Sequence, residues 1–208
     1  MTQAMTDDLL SWFGDIDIYL FDLLLKRRLI PGMKVLDAGC GNGRNSVYML
    51  RSGFLVHAVD TSAEAVSTIR ELAAELAPSL PTDNFRVEPI EQLSFTDDVF
   101  DGVLCSAVLH FSRDEDHFAA MLRNLWRVLK EGGIFFARLA SDIGLEHRVR
   151  PLGGRRFALP DGSQRFLVNE AMLLEATAQL SGEFIEPLKT TIVRNARCMT
   201  TWVLRKPL

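Results

Sequence analysis

The chain has 208 residues, 48% apolar and 24% charged, which is the balance of a globular domain and not of a disordered segment. That length fits one domain with a substantial core, here 1–208. A net charge of −4 gives no whole-protein drive toward nucleic acid or an anionic membrane, and no apolar run has the length of a membrane span. Residues 1–10 carry Asp7 and Asp8 and no basic stretch, so no secretory leader is expected. Three widely spaced cysteines (Cys40, Cys105, Cys198) indicate neither a disulfide framework nor a zinc site, and fit a reducing cytoplasm.

The 1–31 segment reads as helical, with a helix predicted over 15–29 from the stripe Ile16, Tyr19, Leu20, Leu23 and Leu24. Pro31-Gly32 ends it. A short buried strand over 33–36 runs into a glycine turn, and 44–50 is predicted as helix. A second buried strand, 54–60, ends in Asp60, and the helix over 62–77 carries Val66, Ile69, Ala73 and Leu76 on one face. Then come an edge-like strand over 85–90 and a core strand over 100–107. Ser112 and Glu115 form a capping-box pattern opening a helix to about 130, which Gly132-Gly133 stops before a strand over 134–139. The stretch 142–168 is the least regular part. A helix over 169–180 follows, and 184–193 and 198–204 flank the turn Arg194-Asn195-Ala196 as an antiparallel hairpin. Strands alternating with helices predict a parallel sheet covered on both faces.

The chemistry concentrates in Val35-Leu36-Asp37-Ala38-Gly39-Cys40-Gly41-Asn42-Gly43-Arg44-Asn45-Ser46. Glycines let a backbone approach a ligand closely at φ > 0, and a following helix start offers free N–H groups. A dinucleotide fingerprint needs its third glycine where Arg44 stands, so the nicotinamide reading fails there. Asp60 fits an acceptor for ribose hydroxyls, or alternatively an acid favoured by the dipole of the next helix. Cys40 is either a reactive thiol or a small residue that fits the loop.

The strand-terminal Asp37 followed by Gly39, Gly41 and Gly43 resembles motif I of the class I S-adenosylmethionine (SAM)-dependent methyltransferases. Gly-Cys-Gly-Asn-Gly-Arg-Asn-Ser is similar to the tellurite-resistance type in particular. The likeness covers roughly 15–206, with specific motifs in 35–133. It implies an α/β, Rossmann-like, doubly wound, mostly parallel seven-stranded sheet of order 3-2-1-4-5-7-6 with an antiparallel last strand. It further implies SAM as cofactor, S-adenosylhomocysteine as product, and a cofactor site of Asp37, Gly39, Cys40, Gly41, Gly43, Arg44, Asn45, Asp60, Thr61, Ile90, Glu91 and Ser106. Many members carry an acid for the adenine amine where this chain has Pro89, so Ile90, backbone groups and, more weakly, Glu91 are expected to hold adenine; Asp101 reads as structural. Arg44 is a candidate for the cofactor carboxylate, or else an exposed cation at a helix start.

Ligands in this fold class bind beyond the C-terminal strand edges, so 106–110 should border cofactor and substrate. His110 is a candidate base, a substrate-orienting donor, or a loop imidazole without chemistry. Asp142 aligns with an active-site acid of the tellurite-resistance type and is taken with His110 as catalytic. The His-Arg pair of that type has no counterpart in 189–194. The basic stretch 142–168, with His147, Arg148, Arg150, Arg155, Arg156 and Arg165, reads as a substrate lid for an anionic acceptor or as a solvated loop. Tyr19, His110, Phe111, Arg155 and Arg156 are the expected substrate residues. The resulting expectation is in-line methyl transfer, without metal, to a small anionic molecule rather than to nucleic acid. A SAM-binding scaffold without turnover is the alternative.

Overall fold

The near-continuous apolar runs of the chain become adjacent parallel strands. The computed structural model describes residues 9–208, so the reading of 1–10 and of the 1–31 segment falls partly outside the described residues. Strands β1 (Lys34–Ala38), β2 (Leu55–Asp60), β3 (Phe85–Val87), β4 (Phe100–Ser106) and β5 (Leu129–Ala140) lie parallel in the order β3-β2-β1-β4-β5. Beyond β5, β11 (Arg197–Arg205) runs antiparallel and pairs on its far side with β10 (Lys189–Val193) and β9 (Glu183–Phe184). The sheet is therefore the expected Rossmann-like type, but it differs in detail. It has eight strands instead of seven, because the run predicted as one strand over 184–193 breaks into β9 and β10.

Alternation along the central strands divides the core between the two faces. Val103, Cys105, Phe135 and Ala137 face α4 (Glu115–Val128) and α5 (Glu170–Gln179), against Phe118, Met121, Leu122, Leu125 and Leu173. Leu104, Phe136, Val35 and Val56 face the other way, onto α1 (Ile18–Leu25), α2 (Val47–Arg51) and α3 (Ala63–Leu76). Helix starts are closed by side-chain oxygens: Ser62 accepts from Ala65 N, Asp114 from His117 N and Asn169 from Met172 N. The expected Ser112 cap is thus displaced by two residues, since Ser112 Oγ instead donates to Leu109 O at 2.7 Å. Helix α1 is shorter than predicted because Asp17 caps it. Helix α2 starts at Val47 rather than at 44.

Gly132-Gly133 does not separate helix α4 from a strand starting at 134. Backbone extends from Leu129 onward, and Lys206 Nζ caps the departing helix by donating to Trp126 O and Leu129 O at 3.1 and 2.7 Å. The largest departure is 142–168. It holds an ordered antiparallel sheet of β6 (Arg150–Gly153), β7 (Arg156–Ala158) and β8 (Gln164–Phe166). Phe166 stacks on Phe118 of α4 with ring centres 5.2 Å apart, which fastens this small sheet to the main body. Among the described residues no helix is long and apolar enough to cross a membrane.

Candidate active site

The C-terminal ends of β1, β2 and β4 converge on the glycine loop. Gly39 N and Cys40 N donate to Val59 O at 2.8 and 3.1 Å, tying the loop to β2. Asp60 Oδ2 accepts from Gly41 N and Oδ1 from Ser62 N, each at 2.9 Å, which leaves further lone pairs for a ligand. Gly39 has φ 76°, and a Cβ there would lie 2.4 Å from Val108 Cγ2. Gly41, at φ 51°, has open space where its Cβ would be, while Gly43 packs toward Ile69 and Leu72 of α3. Cys40 is buried and burial pushes its thiol up, which removes the reactive-thiol reading.

Beyond this loop opens a cleft of about 500 Å³, lined by Gly39, Asp60, Thr61, Ile90, Glu91 and Phe111 among the residues singled out from sequence. Ala107 and Val108, within the expected 106–110 border, line it as well, and so do Glu88, Arg113, His117 and Met121, which the sequence reading does not mark; the last two lie one turn apart on α4, whose periodicity reads only as core. Glu91 Oε1 stands 3.0 Å from His117 Nε2 and 4.0 Å from Arg113 Nη1. Burial raises the Glu91 carboxyl, but its own N–H and His117 outweigh that and leave it below the ordinary value. Asp101 is structural as expected, accepting from Lys34 N and Lys130 Nζ, both at 2.7 Å.

Asp37 lies buried beneath the loop and accepts from Ser46 Oγ at 2.9 Å. Burial lifts its pKa to about 6, against the pull of Ser46 and Arg44. Arg44 and Asn45 turn toward the N-terminal segment. Asn45 Oδ1 accepts from Asp17 N at 2.9 Å, and Arg44 donates to Asp15 O at 3.0 Å and Ser106 Oγ at 3.4 Å. The hub is Asp17, whose buried carboxylate accepts from Arg138 Nη1 at 2.9 Å and Ser106 Oγ at 3.4 Å. No local pattern marks this clasp, because Ser106 and Arg138 stand 89 and 121 positions from Asp17.

A second pocket, about 280 Å³, shares Ala107 with the first. Ala107 holds φ 64°, a left-handed backbone that places it at the end of β4, with its N–H on Arg138 O at 2.7 Å. This pocket is lined by His110, Arg138, Asp161, Arg165 and Arg197, with Leu159, Val193 and Met199 among its apolar walls. His110 Nδ1 accepts from Ala140 N at 3.3 Å, so the ring proton sits on Nε2. Burial, with Arg165 nearby, lowers its pKa to about 4. His110 is thus a neutral donor at neutral pH, and of its three sequence readings the base is the weakest.

Four of the expected catalytic and substrate residues, Asp142, Arg155, Arg156 and Tyr19, line neither cavity. Asp142 Oδ2 accepts from Arg155 Nη2 at 3.1 Å, and Arg155 also donates to Leu167 O from Nε and Nη2. Burial pushes the Asp142 carboxyl up against the pull of that arginine. Arg156 Nη1 donates to Ser112 O at 3.3 Å. These contacts of Asp142, Arg155 and Arg156 fasten the small sheet to the body, away from the cavities where an acid or substrate anchor would have to stand. The arginines in the pocket are Arg138, Arg165 and Arg197. Tyr19 Oη pairs with Thr191 Oγ1 at 2.8 Å and its ring lies under Arg138, centre to Cζ 5.5 Å, so it too acts from behind the pocket. Among the described residues no group of His, Cys, Asp or Glu is arranged to hold a metal.

Residues 36–137 match a family model described as a methyltransferase domain. A ubiquinone biosynthesis O-methyltransferase of Xanthomonas campestris is 31% identical over 148 residues, covering 70% of this chain and 59% of the relative. The chain thus spans less than two thirds of the length of the curated relatives it matches, 63% for a Caulobacter vibrioides protein of the same name. The solved 1,6-didemethyltoxoflavin-N1-methyltransferase of Burkholderia thailandensis, with S-adenosylhomocysteine bound, superposes with TM-score 0.70 at 20% identity, over 99% of this chain and 84% of that one. The [4+2]-cyclase SpnF superposes equally well, TM-score 0.70 at 20% identity over 91% and 80%. The fold is therefore that of the SAM-dependent methyltransferases, and its central part, residues 36–137, is similar to their methyltransferase-domain model.

Proposed function

We propose that this chain transfers a methyl group from SAM to a small anionic acceptor by in-line displacement, without a metal. The observation that carries the reading is the meeting of two unlike cavities at Ala107: a cleft built on the glycine loop and Asp60, and a pocket walled by three arginines. The residues fit the cofactor. Gly41 leaves room for close approach, Asp60 keeps acceptor capacity for ribose hydroxyls, and Ile90 offers an apolar wall to adenine. Asp37, Gly39, Cys40 and Gly43 shape the loop, Thr61 and Glu91 edge the cleft, and Arg44, Asn45 and Ser106 brace it through Asp17.

When bound, SAM supplies a sulfonium-activated methyl group, so the cofactor carries the hard chemistry. The protein's share is to hold the pair in line and exclude water, which is worth roughly 7–11 kcal/mol of barrier when the geometry is right. His110 Nε2–H orients the acceptor, and Phe111, stacked 5.0 Å from Arg165, sits where the two cavities adjoin. The tellurite-resistance likeness is not carried further, since the acid it implied, Asp142, is paired with Arg155. A net charge of −4 and three buried, unpaired cysteines support a small substrate and a cytoplasmic setting.

A scaffold role stays as the second reading because the cyclase neighbour has the same fold. Incubation with radiolabelled methyl-SAM and a panel of small carboxylates, phenols and thiols separates the two. Label transfer to a panel member supports the enzyme. SAM binding with no transfer to any of them favours the scaffold.

A further inference from the structure

The acceptor pocket holds cations and hydrogen-bond donors but no group fitted to remove a proton. Its charged and titratable lining comes from every element around it: His110 from the β4–α4 loop, Arg138 from β5, Asp161 from the β7–β8 turn, Arg165 from β8, and Arg197 and Cys198 from β11. His110 is committed as a donor, because Ala140 N–H occupies Nδ1. Asp161 Oδ1 already accepts both the N–H and the hydroxyl of Ser163, at 2.9 and 2.6 Å. Those bonds, with Arg197 and Arg165 nearby, hold the carboxyl below its ordinary range and make it a poor base. Cys198 Sγ lies 3.1 Å from Ser141 Oγ, and burial pushes its thiol up. Asp17 behind the pocket is paired to Arg138 and Asp142 to Arg155, so neither carboxylate is free to act.

Resting on the function proposed above, we infer that this pocket takes its acceptor as the conjugate base of an acidic hydroxyl, thiol or carboxyl group, with Arg165 and Arg197 doing by electrostatics what a general base would otherwise do. The acceptor's proton leaves to solvent on binding. Its freed lone pair then forms the bond to the methyl carbon as the carbon–sulfur bond breaks, with that bond's electrons remaining on sulfur, so no protein group gains or loses a proton. An arginine is suited to this because it stays charged at any working pH. Two such cations in a half-enclosed pocket lower a neighbouring acid by an amount well within measurement.

The test uses a chromogenic acidic phenol, 4-nitrophenol, whose neutral and ionised forms absorb at different wavelengths, titrated with pH in the presence of the full chain saturated with S-adenosylhomocysteine. The expected result is a bound midpoint at least about one pH unit below that of free 4-nitrophenol, an about tenfold stabilisation of the anion. Arg165→Gln with Arg197→Gln should return most of that shift, while Arg123→Gln, which removes an exposed charge on α4, should leave it in place. Phenol bound in its neutral form, bound with an unshifted midpoint, or not bound at all overturns the inference. Circular dichroism and S-adenosylhomocysteine affinity of the double variant show whether it folds. S-adenosylhomocysteine binding is scored separately by calorimetry: its failure removes the cofactor reading, whereas success with neutral phenol removes only this inference.

Discussion

The two cavities differ in how they are assembled. The proposed cofactor cleft is the more local of the two: its glycine loop, Asp60 and Ile90 follow one another within 37–91, each at the end of a parallel strand or just beyond it, and the stretch 107–121 closes its other side. The acceptor pocket gathers residues from 107–110, 138–140, 159–165 and 193–199, brought together by the crossing of β11 against β5 and by a separate small sheet. A site built from contiguous turns is constrained by backbone geometry, while one built across elements is constrained by which side chains happen to face inward. The first should therefore fail through glycine and the second through charge.

The largest effect is expected at Gly39. Replacing it with Val places a side chain against Val108 at a position with φ 76°. Such overpacking plus backbone strain costs about 2–4 kcal/mol. S-adenosylhomocysteine affinity should fall by at least about a hundredfold, read by calorimetry. An affinity within threefold of wild type would break the contrast between the two cavities.

Asp37 gives a pH signature confined to the cofactor half. Its folded pKa of about 6 lies above the ordinary 3.8, so between those values the folded chain binds a proton that the unfolded chain does not. Stability without ligand is then highest on the acid side and falls as pH rises through about 6, by on the order of 3 kcal/mol in all. Urea unfolding across that range should show the decline in wild type and lose it in Asp37→Asn. A bound sulfonium and ammonium favour the carboxylate, so SAM affinity should weaken below about pH 6. A flat stability profile would mean that Asp37 is not the buried, uncompensated acid described here.

Asp60→Asn sharpens the same half more gently. Losing a charged acceptor is worth about 1.5–3 kcal/mol, so affinity for S-adenosylhomocysteine should drop by about tenfold to a hundredfold with little change in unfolding temperature. In the acceptor half the arginines should divide by role. Arg155→Gln leaves Asp142 without its cation and should cost about 1–3 kcal/mol of stability while leaving S-adenosylhomocysteine affinity unchanged. Arg165→Gln should leave stability within about 0.5 kcal/mol and instead weaken anionic ligands by about tenfold. If Arg155 and Arg165 behaved alike, the distinction between fastening and binding arginines would fall.

The asymmetry also explains what could be read in advance. The strand-to-helix turn at Asp37 and the three glycines, and Asp60 at the next strand end, were legible because such a turn demands those residue types at that spacing, whereas Ile90 was reached only through the family likeness. The parallel sheet and its reversed strand were legible from hydrophobic period and from the final turn. The small sheet in 142–168 was not, since β6 to β8 are only three or four residues each and mostly exposed, and carry no alternation to detect. Arg155 and Arg156 were chosen over Arg165 and Arg197 because composition marks a basic stretch without saying which guanidiniums turn inward. Arg197 lies outside that stretch altogether. The Asp17 clasp was invisible for the same reason, as it depends on tertiary proximity alone.

The most direct test of the central claim is calorimetric titration of the unmodified chain with S-adenosylhomocysteine and NAD in parallel. S-adenosylhomocysteine should bind at micromolar affinity with one-to-one stoichiometry, and NAD should give no heat. Binding of NAD, or no binding of S-adenosylhomocysteine, would contradict that claim.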